Sequence, residues 1–204
     1  SFTFAGAEPV ATFAYTITSD GGGTPVTGTG TIADGAIGPV QATLVAALDS
    51  IAPYSGLAGT DLGGAVDLTA SVDADLTTMA VALTGSLQGQ NLSFRVGDTD
   101  QSFAGASELV FDVSRDAAGA LAADVTARGP GGLIADIEGT GAMVDGKIGP
   151  VAATVNASAN SIAPYSGLAG RDLAGSIDLS ANVEADLTTM AVSLDGSLQG
   201  RDLS

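Results

Sequence analysis

Apolar and polar residues alternate along much of this chain. In the segment Val66–Val72 every second residue is apolar and the residues between them are polar, and the same period of two recurs in Met79–Leu87. This period places apolar side chains on one face of a β-strand and polar side chains on the other. The pattern therefore predicts two half-buried strands, which the turn-rich segment 73–78 joins as a hairpin.

Further strands follow from the same alternation. They are predicted at Thr12–Ser19, Val26–Ala33, Leu92–Val96, Leu109–Ser114, Leu121–Ala127 and Leu133–Glu138. The segment Leu44–Ile51 fits a strand better than a helix, and Gly and Asp, which disfavour helix interiors, separate the predicted strands. The sequence thus predicts an all-β protein of antiparallel strands, without substantial helix, in which each strand has one face in water.

The chain contains a long internal repeat. Residues 34–93 (the first repeat) align without a gap to residues 145–204 (the second repeat), and about 42 of the 60 aligned positions are identical. Apolar positions of the alternation persist between the repeats, whereas polar positions vary, as in Thr84 and its counterpart Asp195. A face that keeps its apolar residues, Met79 included, is expected to be packed. A face that accepts Asp in place of Thr is expected to be exposed to solvent.

This repeat predicts two tandem β units, residues 1–93 and 94–204. The second unit is longer, and we expect its extra length in a hairpin-like insertion near residues 120–136. Each unit is expected to be a small antiparallel barrel or sandwich, with the two arranged end to end. A continuous β-solenoid is the competing architecture, although solenoid repeats are only about 20 to 30 residues long. Both ends of the chain fall at matching points of the repeat, so we expect the chain to be part of a longer array of similar units.

Composition argues against catalysis. The chain has no Cys and no His, and its single Lys, Lys147, is Ala36 in the first repeat. The absence of Cys and His excludes thiol chemistry, disulfides, His-based acid–base chemistry and most zinc or copper sites. The four Glu residues lie in no glycosidase-like motif. We therefore expect that the protein is not an enzyme.

The charge balance argues against nucleic acids and anionic membranes as partners. There are 23 acidic and 6 basic residues, which gives a net charge of −17. Such a chain is repelled by phosphate backbones and by anionic membrane surfaces. No apolar run reaches the ~20 residues of a membrane helix. We expect neither nucleic-acid binding nor membrane insertion.

Clustered carboxylates are the only candidates for a metal site. Asp98 and Asp100 lie at the junction of the two predicted units, where alternating acids in a turn suit Ca²⁺. Calcium is the one cofactor that the sequence suggests. The alternative is that such acids stabilise turns by accepting hydrogen bonds from their own backbone, which is the interpretation we prefer for Asp73 and Asp75 and also for Asp98 and Asp100.

A loop of seven residues, Pro53–Gly59, recurs unchanged in the second repeat. Its tyrosines, Tyr54 and Tyr165, are candidate partner-binding residues, because Tyr is a frequent anchor in recognition surfaces. The structural alternative is that each ring covers the end of the sheet, since aromatic residues make up only 4% of the chain and the core has few of them.

Three short segments carry a family resemblance. Val183–Leu198 joins an acidic turn to a Gly-Ser-Leu strand, Phe103–Gly105 reads Phe-Ala-Gly, and Gly149–Ala152 reads Gly-Pro-Val-Ala. In these motifs the chain resembles the β-barrel domains of transferrin-binding-protein-like surface lipoproteins of Gram-negative bacteria, although Leu187 stands in place of the family's Phe. Its near-identical units without Cys are also similar to the repeat units of large bacterial surface adhesins. Both resemblances imply a β protein exposed at the cell surface.

Together these features favour a non-catalytic, extracellular structural or adhesive repeat segment of a larger bacterial surface protein or fibre. Its expected partners are neighbouring repeat units, other copies of the same chain, or a host or surface ligand. Conserved inner faces with variable wet faces are expected when length and stiffness are what the repeat supplies. The alternative is a β-barrel surface lipoprotein that binds a ligand or a host protein.

Overall fold

A computed structural model describes residues 2–7, 10–17, 26–33, 36–96, 99–144, 146–186, 189 and 191–204. The described chain is almost entirely β-structure, which confirms the all-β prediction. Two α-helices of one turn each, α1 (Ser55–Ala58) and α2 (Ser166–Ala169), follow short 3₁₀ turns. The strands are β1 Phe2–Ala7, β2 Val10–Ile17, β3 Val26–Ala33, β4 Ala36–Leu48, β5 Leu62–Asp75, β6 Ala80–Val96, β7 Thr99–Arg115, β8 Ala120–Gly129, β9 Leu133–Val144, β10 Lys147–Ala159, β11 Ser176–Asp186 and β12 Ala191–Arg201.

All of these strands belong to one antiparallel sheet, in which they follow one another in chain order from β1 to β12. β6 pairs with β7 from Val81 opposite Arg115 to Val96 opposite Thr99, so the ladder crosses the predicted unit boundary without a break. In place of the expected separate barrels or sandwiches, the described strands therefore form one open sheet with β1 and β12 at its edges. The segment 120–136, predicted as an insertion, forms β8, a 3₁₀ turn and the start of β9.

The two repeats fold with the same strand register. Leu48 lies opposite Val66 between β4 and β5, and the corresponding Ala159 lies opposite Ile177 between β10 and β11. The last two strands of each repeat, β5 with β6 and β11 with β12, also pair in corresponding register. One repeat therefore advances the chain by six strand positions in the sheet.

Burial alternates along β4 and β11 as the sequence predicts, although their inner faces are only half-buried, whereas every residue of β12 is exposed. Among the residues whose side-chain burial the structure describes, Ala159 is the one buried hydrophobic residue, at 3% exposure. The accessible surface is 12426 Å², whereas a compact monomer of this mass exposes about 8,600 Å². A single sheet packs its apolar side chains against neighbours on the same face and lacks a second layer to cover them.

A bulge explains why the sequence predicts two strands where β6 is one. Asn91 adopts a left-handed conformation with φ +50°, and the pairing register shifts between Gln90 and Leu92. The Asn91 side-chain oxygen accepts a hydrogen bond from the backbone N–H of Gly105 at 3.0 Å, which ties the bulge to β7. The extra residue interrupts the apolar–polar alternation, and the interruption resembles the end of a strand.

The prediction that Met79 is packed is wrong. Met79 lies in the turn between β5 and β6 with φ +61°, and it is 55% exposed. Its backbone carbonyl accepts a hydrogen bond from Arg115 Nη1 at 2.9 Å, so the contact with β7 involves its main chain. The counterpart Met190 lies outside the described residues.

The unchanged loop has the same geometry in both repeats. Ser55 Oγ donates to the Ala52 carbonyl at 2.7 Å and accepts the Leu62 N–H at 2.9 Å, and Ser166 makes both bonds at the same distances in the second repeat. Gly59 ends α1 with φ +68°, a left-handed conformation that favours glycine. These requirements account for the Ser and Gly of the loop.

Replacing either loop serine by alanine should therefore destabilise the protein. Ser55→Ala and Ser166→Ala are each expected to lower the free energy of unfolding by about 1 to 2 kcal/mol, because a partly buried backbone N–H loses its acceptor. Ser193→Ala is the control, since Ser193 is exposed and the first repeat already has Ala82 there. Chemical denaturation measures the difference, and equal stability of all three variants would contradict this role of the loop.

Candidate functional site

Of the two acids predicted to bind calcium, Asp100 belongs to β7. Asp98 is outside the described residues, and Asp100 stands opposite Arg95 in the β6–β7 register. Within the described ranges no group of three or more His, Cys, Asp or Glu side chains is placed to hold a metal ion. Calcium binding by Asp98 and Asp100 stays a prediction.

Asp75 acts as the internal acceptor of the turn that follows β5. Its Oδ1 accepts hydrogen bonds from the Thr77 hydroxyl at 2.6 Å, from the Thr77 N–H at 2.9 Å and from the Thr78 N–H at 3.3 Å. These bonds favour the ionised carboxylate, with the Thr77 hydroxyl contributing most, and they lower the pKa of Asp75 from 3.8 to about 2. The geometry agrees with the turn-stabilising interpretation.

Removing the Thr77 hydroxyl should raise the pKa of Asp75 toward its ordinary value of 3.8. Because the folded-state pKa is depressed, the contribution of Asp75 to stability is present above pH 3.8 and is lost as the pH falls toward 2. An NMR titration of the Asp75 carboxyl carbon in wild type and Thr77→Ala measures this, with Thr84→Ala as the control. An unchanged titration in Thr77→Ala would show that the hydroxyl is not the main cause.

The two candidate partner-binding tyrosines occupy different environments. The Tyr165 ring lies 5.6 Å from the Phe103 ring of β7, which lies 5.8 Å from Phe94 of β6. Its hydroxyl donates to the Pro130 carbonyl at 2.9 Å, and burial raises the pKa of Tyr165. Tyr54, in contrast, is 43% exposed. The structure thus packs Tyr165 against β7, whereas it leaves Tyr54 accessible to a partner.

This difference predicts unequal effects of the same substitution. Tyr165→Ala should lower the free energy of unfolding by about 2 to 3 kcal/mol, since it removes a packed ring, and Tyr165→Phe by about 1 kcal/mol through the lost hydrogen bond. Tyr54→Ala should cost less than about 1 kcal/mol. Thermal or chemical denaturation of the three variants tests this, and equal losses for the two alanine variants would be inconsistent with the packing described.

The largest exposed apolar cluster on one described strand lies on β12. Val192, Leu194 and Leu198 are 70%, 70% and 69% exposed. Sequence reasoning missed this cluster, because the same residues recur in β6, where Val81 is 38% exposed and the two leucines are half-buried. The difference is that β6 pairs with β7 along its second edge, whereas β12, the last strand of the given sequence, pairs with β11 alone among the described strands.

A groove beside the turn that joins the last two strands of each repeat also differs between the repeats. In the second repeat the groove has a volume of about 610 Å³ and is lined by residues of β9 to β12, including Val151 and Val192. The corresponding groove of the first repeat has a volume of about 300 Å³, and Arg115 of β7 contributes to its wall. The larger groove lies beside β12, whereas the smaller one is bordered by both β6 and β7.

Ion pairs on the described surface are exposed and modest. Three of them are Arg95–Asp61 at 3.0 Å, Arg128–Glu108 at 3.0 Å and Arg201–Asp178 at 3.6 Å. Exposed pairs of this kind contribute little to stability. The net charge of −17 makes the surface predominantly acidic.

Comparisons with known protein families, curated proteins and solved structures find no match to this chain. In the described residues, none of the helices has the length and apolar character needed to cross a bilayer.

Proposed function

We propose that this chain is a non-catalytic structural or adhesive repeat segment of an extracellular bacterial surface protein or fibre. The observation that carries the proposal is that the repeated strands occupy successive places in one sheet, with β4 to β6 and β10 to β12 in the same register. In such a sheet each strand contacts its neighbours alone, so that adding a repeat adds length without rebuilding a core. The two tandem units are, in this proposal, successive segments of a continuous ladder.

The spacing of strands gives the repeat a length. Adjacent strands lie about 4.8 Å apart, so six strand positions extend the sheet by roughly 29 Å along its hydrogen-bonding direction. The side chains of the wet face vary between the repeats, while the register and the apolar face are kept. Selection for a defined spacing accounts for this pattern better than selection for one ligand site.

The alternative is a surface lipoprotein that binds a ligand or a host protein. The observation in its favour is the groove of about 610 Å³ beside β12, whose walls include Val151 and Val192. Against it, the groove recurs in the first repeat at about half that volume and therefore belongs to the repeated architecture. The short motifs shared with transferrin-binding-protein-like domains are its remaining support.

Duplicating residues 94–204 at the end of the chain tests the structural role. Small-angle X-ray scattering at low protein concentration should show the maximum dimension increasing by roughly 29 Å for the six added strands. The control is a chain of the same length in which the added copy is replaced by a Gly/Ser linker of 111 residues. If the duplicated chain folds into a compact particle with no increase in length, the proposed role is wrong.

A further inference from the structure

We propose that an aromatic bridge, formed by Phe94, Phe103 and Tyr165, couples the two copies of the repeated loop and makes the two repeats unfold as one unit. The first loop (residues 49–61) joins β4 to β5, and the second loop (residues 160–175) joins β10 to β11. Both loops lie at the same end of the sheet, because β4 and β10 run in the same direction. The coupling is a property of the fold and does not depend on the function proposed above.

The second loop packs on a strand that is not its neighbour in the sheet. β8 and β9 separate β10 from β7, yet α2 and the 3₁₀ turn Ala163–Tyr165 both contact β7. The Tyr165 ring lies 5.6 Å from the Phe103 ring of β7, and its hydroxyl donates to the Pro130 carbonyl, in the turn after β8, at 2.9 Å. The second loop therefore fastens together strands that the hydrogen-bond ladder joins only in succession.

The contact between α2 and β7 is closely fitted. Gln101 of β7 is 3% exposed, although glutamine is mostly an exposed residue in proteins. A Cβ atom at Gly167 of α2 would lie 2.5 Å from Gln101 Oε1, so a side chain at this position would push the two elements apart. At the matched Gly56 of α1, the described residues leave open space around a Cβ atom. Packing therefore requires the glycine in the second loop, whereas in the first loop it does not.

The bridge reaches the first loop through the end of β6. The Phe94 ring of β6 lies 5.8 Å from the Phe103 ring. The next residue, Arg95, is fastened to the first loop, since Thr60 Oγ1 donates to its carbonyl at 2.6 Å and accepts its N–H at 3.2 Å. A continuous set of contacts thus joins Thr60 of the first loop to Tyr165 of the second.

Contacts of this kind change how a sheet of one layer unfolds. Where strands pack on adjacent strands, stability is approximately a sum of nearest-neighbour contributions, and one part of the sheet can open while the rest stays folded. The bridge joins two loops that are six strand positions apart, so the opening of either loop removes stabilising contacts from the other. We therefore expect a single unfolding transition for both repeats.

Labelling with fluorotyrosine tests the coupling, because Tyr54 and Tyr165 give each loop its own fluorine NMR resonance, which Tyr54→Phe assigns. In the wild type, urea should remove both folded resonances with the same midpoint. Phe103→Ala should separate the two midpoints by about 0.5 M urea or more, and Phe103→Leu replaces it if the alanine variant does not fold. The control Val113→Ala, on the same strand but outside the bridge, should lower both midpoints together.

The two matched glycines provide a second test. Gly167→Val should push α2 away from Gln101 and separate the two midpoints as Phe103→Ala does. Gly56→Val makes the same change in the identical loop of the first repeat, where a Cβ atom has open space, and should leave the midpoints coincident. Different midpoints in the wild type, or coincident midpoints in Phe103→Ala, would overturn the proposal.

Discussion

The backbone hydrogen-bond ladder of one antiparallel sheet is the interaction on which this structure depends. With no second layer in the described chain, apolar side chains pack against neighbours on adjacent strands, and Ala159 is the one buried hydrophobic residue among those whose side-chain burial is described. The hydrophobic contribution of each strand is therefore tied to pairing on both of its edges. Stability rises toward the middle of such a sheet and falls toward its edges, where a strand keeps only one neighbour.

The sequence predicts the local features of this fold well, because a period of two is a property of neighbouring residues. The bounds of β3 agree with the predicted Val26–Ala33, and the alternating burial of β4 and β11 follows from their composition. The errors arise where a single residue changes the local geometry, as at the bulge of Asn91 and the turn that contains Met79. The continuous ladder was missed for a different reason: a strand's own residues do not specify which strand lies beside it.

The environments of matched residues could not be predicted from the sequence for the same reason, because they depend on which strand lies alongside. Tyr54 and Tyr165 belong to identical loops, yet Phe103 and the Pro130 carbonyl are present beside Tyr165 and make the second loop a packed element. Leu83 and Leu194 are also the same residue in the same strand of the repeat, and their exposure differs with the strand alongside. In a repeated sequence, the informative quantity is the difference between the environments of matched residues.

The even number of strands in one repeat has a genetic consequence. A change in the number of repeats would insert or delete six strands at a time, because one repeat spans six positions of the sheet. After six antiparallel strands the chain again runs in its original direction with its apolar residues on the original face. Length variants of this kind would keep neighbouring strands antiparallel and the apolar residues of all repeats on one face of the sheet.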